Sequence, residues 1–218
     1  QIRALTNSQM SVLTGDQLSQ LTTAQISRGL STSQIVGIDI KKLNNFSTDQ
    51  IRSLTTDQMS ALSSFALNNF GVDQVAALST AQVRAISSAV INTLDSTHLQ
   101  ALTTSAVASL KNEQLNRLTP EQMAAFTGSQ VASMTTAQVV GLTSAQAGVL
   151  TSTAIGAMDT AQAAAFQTVL SFSQAQLFDG IGQPSSVKHV VASVGVFLDG
   201  FHDGQALKRL LQVHRLAG

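Results

Sequence analysis

The chain has no Cys, Trp or Tyr and only two Pro, and just 11% of its residues are charged. Each absence removes a class of function. Without Cys there is no disulfide framework and no thiolate metal site, which fits either a cytosolic or an extracellular location. Twelve Lys+Arg balance twelve Asp+Glu over 218 residues and lie mostly scattered. Counterion release therefore has no clustered basic surface to act on, and nucleic acid is not an expected partner. No run of about 18 apolar residues occurs, so no transmembrane segment is expected. Nucleophile elbows, phosphate loops, zinc-protease motifs and flavin fingerprints are missing, and the His residues lack a marked Ser or Asp partner. The reading is a protein that is not an enzyme, with no catalytic residue, cofactor or metal assigned.

What is present is repetition. An eight-residue unit, clearest at Thr135-Thr136-Ala137-Gln138-Val139-Val140-Gly141-Leu142, recurs almost from end to end. Gln1, Gln9, Gln17 and Gln25 are eight apart; one extra residue, assigned to Gly29, moves the next marker to Gln34, and from there to Gln162 the spacing holds. Lys42, Ala66, Val90, His98, Ala106 and Ala154 replace the marker Gln in the remaining copies. Three residues before the marker stands Thr, Ser or Asp, except at Gly71 and Lys111. The residues just before that cap and just after the marker are always apolar. The chain opens at Gln1 in the middle of a unit, without an initiator Met or signal peptide, and so reads as a piece of a longer protein.

These constraints describe the start of a helix. In Ser/Thr-x-x-Gln the hydroxyl accepts from the N3 amide while Gln reaches back to the cap amide, and the apolar pair sits at N′ and N4 as a hydrophobic staple. Each unit thus begins a new helix of at most two turns. One continuous helix would rotate the apolar stripe by about 80° per unit and leave no fixed face. A β-solenoid is disfavoured because Ala, Gln and Leu prefer helices and strict alternation is lacking. Ordering eight residues costs more conformational entropy than two buried aliphatic side chains and a cap return, so a unit folds only against its neighbours. The prediction is an all-α solenoid of very short helices over residues 1–166.

A second period lies on the first. Leu43-Asn44-Asn45-Phe46, Leu67-Asn68-Asn69-Phe70, Ile91-Asn92-Thr93-Leu94 and Leu115-Asn116-Arg117-Leu118 are each 24 residues apart. Three helices per coil would bring Asn44, Asn68, Asn92 and Asn116 into one ladder, a structural feature and a candidate interaction face. In another phase of the same period the penultimate residue is always small (Gly37, Ala61, Ala85, Ser109, Ser133, Ala157), as a close crossing of backbones demands. Two helices per coil is the alternative.

After Phe166 the pattern stops. Residues 167–218 are expected to form a helical cap or docking segment, with a turn and helix start at Pro184-Ser185-Ser186 and apolar stripes through Val187, Val190, Val191 and Val194, then Leu207, Leu210 and Leu211. Asp199-Gly200-Phe201-His202-Asp203-Gly204 offers two carboxylates and an imidazole, but reads better as a turn between helices, with Gly200 a C-cap and Asp203 an N-cap. His98, at a marker position, is expected to replace the amide in local hydrogen bonding.

The array resembles the tandem Leu-Thr-Thr-Ala-Gln-Val-type repeats of very large secreted or surface proteins of Proteobacteria. Leu21-Thr22-Thr23-Ala24-Gln25-Ile26 and Met134-Thr135-Thr136-Ala137-Gln138-Val139 carry the likeness, which extends over about three quarters of the chain. The resemblance implies an extracellular structural role and names no ligand. The expectation is an extracellular or cell-surface structural repeat protein that associates with itself as a filament or fibre component. The alternative is a solenoid scaffold or adhesin that docks a surface protein or a glycan.

Overall fold

The computed structural model describes residues 2–179, and the predicted features of residues 184–211 lie outside them. Every regular element among the described residues is helical. Most are helices of four to six residues, such as Thr80–Ala85 and Ser88–Ile91. Two compact units are present, Gln1–Phe126 and Thr127–Gly218.

The local cause of each helix is the predicted cap. At Ser79 the hydroxyl accepts from Gln82 N at 3.3 Å, while Gln82 Oε1 accepts from Ser79 N at 2.9 Å. Where the hydroxyl is missing, the glutamine half of the arrangement survives: Gly71 N donates to Gln74 Oε1 at 2.8 Å and Lys111 N to Gln114 Oε1 at 2.9 Å. A helix ends when the next unit begins. Leu54 (φ −59°, ψ 131°) and Thr55 (φ −72°, ψ 163°) leave the helical region in succession and turn the chain. No residue among those described has a positive φ, so termination does not need glycine in the left-handed region.

In the first unit the helices stand in three columns. Asn7–Val12, Thr32–Gly37, Thr56–Ser60, Thr80–Ala85 and Thr104–Ser109 pack successively in one. Gly15–Ser19, Ile40–Leu43, Ser64–Asn68, Ser88–Ile91 and Asn112–Leu115 form the second, and Gln25–Gly29, Thr48–Ser53, Val72–Ala76 and Ser96–Ala101 belong to the third. Beyond residue 30 each member lies 24 residues after the one beneath it, so three helices make a coil. In the second unit, Gly128–Ala132 packs on Ser152–Gly156, and Thr136–Val140 on Thr160–Asp179, in the same register.

The small residues sit where coils cross. A side chain at Gly37 would meet Asn7 Cβ at 3.4 Å, Ser109 Oγ lies 3.4 Å from Thr80 O, and Ala157 faces Gly128. In each case the small residue rests on the first helical residue of the unit one coil earlier. The staple pairs form the core: Leu54 with Met59 and Leu78 with Val83 are at most 5% exposed.

Two irregularities have local causes. The inserted residue is absorbed by a π-helical turn over Gln25–Gly29, after which Leu30 resumes the N′ position, buried. At the other end the eight-residue turn fails because both halves of the capping box are missing: the position due to cap the next helix is Gln167, with no short hydroxyl or carboxylate, and the marker position is Leu170. The helix begun at Thr160 then runs on to Asp179, across the 166/167 position where the repeat pattern stops.

Core burial and capping should separate cleanly in urea unfolding of the first unit. Leu78→Asp places a carboxylate in the staple and is expected to cost more than about 3 kcal/mol. Thr55→Ala removes one of two capping bonds and should cost about 1 kcal/mol. Equal losses would contradict the staple.

Candidate functional site

The marker glutamine does more than cap. Its oxygen holds the cap amide of its own helix, and its nitrogen donates to main-chain carbonyls one coil earlier. Gln82 Nε2 reaches Ile51 O at 2.7 Å, Leu54 O at 2.8 Å and Arg52 O at 3.3 Å. Gln58 reaches Ile26 O and Leu30 O at 2.8 Å each. Gln74 donates to Leu43 O and Phe46 O at 3.1 and 2.6 Å, and Gln114 to Val83 O and Ile86 O at 2.9 and 2.8 Å. In the second unit Gln162 donates to Ala132 O at 3.0 Å and to Met134 O. These side chains are 2–5% exposed, yet no buried side-chain nitrogen or oxygen among the described residues lacks a partner.

For Gln58, Gln74, Gln82 and Gln114 one acceptor is the N′ carbonyl of the coil below, and the other is a carbonyl in the last turn of the helix before it that also accepts the N′ N–H, as Ile51 O does from Leu54 N. One carboxamide thus serves the cap N–H of its own helix and carbonyls of the coil beneath, the N′ carbonyl among them. Two replacements preserve the second role. Lys42 Nζ donates to Ser11 O at 2.9 Å, and His98 Nε2 lies 2.9 Å from Phe70 O, the N′ carbonyl a glutamine there would take. His98 Nδ1 lies 2.8 Å from Asp95 Oδ1, so the ring spans cap and coil as the amide does. The backbone N–H of His98, then the His98 ring, hold the Asp95 carboxyl below the ordinary carboxylate range.

The asparagine positions recur at the C-terminal ends of successive helices in the second column. Asn44, Asn68 and Asn116 are exposed and Asn92 is half-buried. Their bonds run to the next coil rather than from Asn to Asn. Asn68 Nδ2 donates to Thr93 Oγ1 at 3.3 Å, and Asn92 Nδ2 to Arg117 O at 3.2 Å. At the step between Ser64–Asn68 and Ser88–Ile91 the marker is Val90, which has no donor to give, and Asn68 supplies a cross-coil bond there. The Asp199–Gly204 cluster lies outside the described residues. Among those described, no group of three or more His, Asp or Glu is placed to hold a metal ion, and no helix is long and apolar enough to cross a membrane.

The two ends of the carboxamide can be separated by Gln→Glu, which keeps the capping oxygen and removes the donor. Gln82→Glu aims a carboxylate oxygen at three carbonyls in a buried site and should cost about 3–5 kcal/mol at neutral pH in urea melts. Burial raises the folded-state pKa of that carboxyl above its unfolded value of about 4.3. The deficit is therefore full above the folded pKa and shrinks as pH falls, because the protonated carboxyl again donates. Gln9→Glu, with no coil against its amide among the described residues, should cost little at any pH.

In comparison with known families, residues 68–104 and 91–128 fit the family model described as the ALTTAQ repeat. No curated protein and no solved structure matches significantly. The matched stretches contain Ala77-Leu78-Ser79-Thr80-Ala81-Gln82, one full copy of N′, cap and marker, and the chain carries a tandem repeat of this type.

Proposed function

We propose that this chain is a structural repeat protein of the cell exterior that associates with itself as a component of a filament or surface fibre, and that it has no catalytic role. The observation that carries this reading is the recurrence of one coil-to-coil bond. Gln58, Gln74, Gln82 and Gln114 each take a pair of carbonyls from the coil below in the same way. A bonding scheme of that kind sets no limit on the number of coils, and a head-to-tail contact that does not close generates fibres. The low charge and the absence of Cys are compatible with an exterior location.

A second reading is a scaffold that docks a surface protein or a glycan along the line of Asn44, Asn68 and Asn116, whose side chains are exposed. It has less support, because Asn68 and Asn92 commit their amides to the next coil.

A dilution series followed by light scattering and electron microscopy tests the preferred reading. Mass should rise with concentration and unbranched assemblies should appear. A strictly monomeric species at high concentration would contradict it.

A further inference from the structure

At the joint over Phe70 an imidazole replaces the marker carboxamide, and the two are not chemically equivalent. A carboxamide accepts through oxygen and donates through nitrogen at any ordinary pH. An imidazole has two nitrogens whose roles depend on how many protons the ring carries. Both face oxygen here. His98 Nδ1 lies 2.8 Å from Asp95 Oδ1, and Nε2 lies 2.9 Å from Phe70 O.

Neither oxygen can donate in return. Phe70 O is a main-chain carbonyl; the Asp95 carboxyl also accepts from the His98 backbone N–H at 2.9 Å, and it is held below the ordinary carboxylate range, so it is ionised at neutral pH. A neutral ring has one N–H and satisfies one partner, leaving a lone pair aimed at the other oxygen. Only imidazolium donates to both. The His98 side chain is 12% exposed and Phe70 is 2% exposed, so a bond lost here is poorly replaced by solvent.

Burial and the helix N-terminus act against a positive charge at this place, and the two short contacts to oxygen act for it. The charged groups on the elements around the ring are carboxylates. Besides Asp95 these are Asp73 on the helix below, Val72–Ala76, and Glu121 on Pro120–Ala124, whose Gln122 donates to Asn92 O and Leu94 O just ahead of the Asp95 cap. The neighbouring helices Ser88–Ile91 and Thr104–Ser109 carry no charged residue.

We propose that His98 makes the coil joint at Phe70 dependent on a proton: the joint is complete with the ring as imidazolium and gives up one of its two bonds when the ring is neutral. The joints made by Gln58, Gln74, Gln82 and Gln114 have no such dependence. The folded chain uses a proton that the unfolded chain does not need, so the contribution is full at low pH and is lost as pH rises. Asp95 has the opposite sign. Its lowered pKa gives stability that is present above the ordinary value of 3.8 and is lost as pH falls through the folded value. The joint is thus strongest in the mildly acidic range and loosens, at one defined step of the first unit, toward alkaline pH. This inference is independent of the self-association reading.

The test compares urea unfolding of the full chain with that of His98→Gln, which restores the residue used at the other joints. The folded-to-unfolded ratio of the wild type, divided by that of H98Q at the same pH, should fall about tenfold between pH 6 and pH 8.5. Dividing the two removes the titration common to both chains, that of His189, His202 and His214 included. A quotient that stays constant or rises with pH would overturn the proposal. If H98Q does not fold, ¹⁵N-histidine spectra of the wild type decide the matter. Both ring nitrogens of His98 should carry slowly exchanging protons at pH 6, whereas a ring with a single proton at that pH would overturn it.

Discussion

The fold depends on a primary carboxamide that accepts at one end and donates at the other. Helices of four to six residues pose an acute hydrogen-bonding problem, because four N–H groups at one end and four C=O groups at the other lack intrahelical partners. At that length the end groups are a large share of the backbone. Burial would then cost about 1–3 kcal/mol for each unsatisfied group. Gln82 meets both ends at once, holding Ser79 N with its oxygen and the carbonyls of Ile51 and Leu54 with its nitrogen. Capping and stacking are therefore one interaction, and a helix too short to stand alone is fixed by the bond that joins it to the coil below.

This dual role explains the identity of the marker. Glutamate is as good as glutamine at N3 of a capping box, and its charge suits the helix N-terminus. No copy uses it. A carboxylate satisfies the cap and fails the carbonyls. The polar replacements, Lys42 and His98, both place a nitrogen against a carbonyl of the coil beneath. At Ala66, Val90 and Ala106 the ladder lapses, and neighbours supply other links: Asn68 bonds Thr93 across the step at Val90, and Ser109 Oγ lies near Thr80 O in the column of Ala106.

Much of this was legible in the sequence, because the signals are local. The cap, marker and staple lie within six consecutive residues, so helix starts could be read from Leu78-Ser79-Thr80-Ala81-Gln82-Val83 alone. The 24-residue coil was legible through the small residues Gly37, Ser109 and Ala157, whose size is dictated by the crossing beneath them. The inter-coil role of glutamine was missed, since its acceptors are main-chain carbonyls 28–32 residues away, and every residue carries one. Glutamate is absent from the marker positions, but with only Glu113 and Glu121 in the chain that absence carries no signal. The Asn positions recur at one place in successive coils, and the bonds of Asn68 to Thr93 and of Asn92 to Arg117 were not foreseen, because a regular spacing does not say which atom of the next coil lies within reach. The π-helical turn at Gln25–Gly29 was visible only as an extra residue, which a chain can absorb in several ways.

The most direct test of the central claim is side-chain amide hydrogen exchange in dilute protein labelled with ¹⁵N-glutamine. If the carboxamides bind the coils together, the Nε2 protons of Gln58, Gln74, Gln82 and Gln114 should exchange on the order of a hundredfold or more slowly than those of Gln9 and Gln17, and only as coils open. Equal exchange at all these positions would mean that the marker caps its own helix and nothing more.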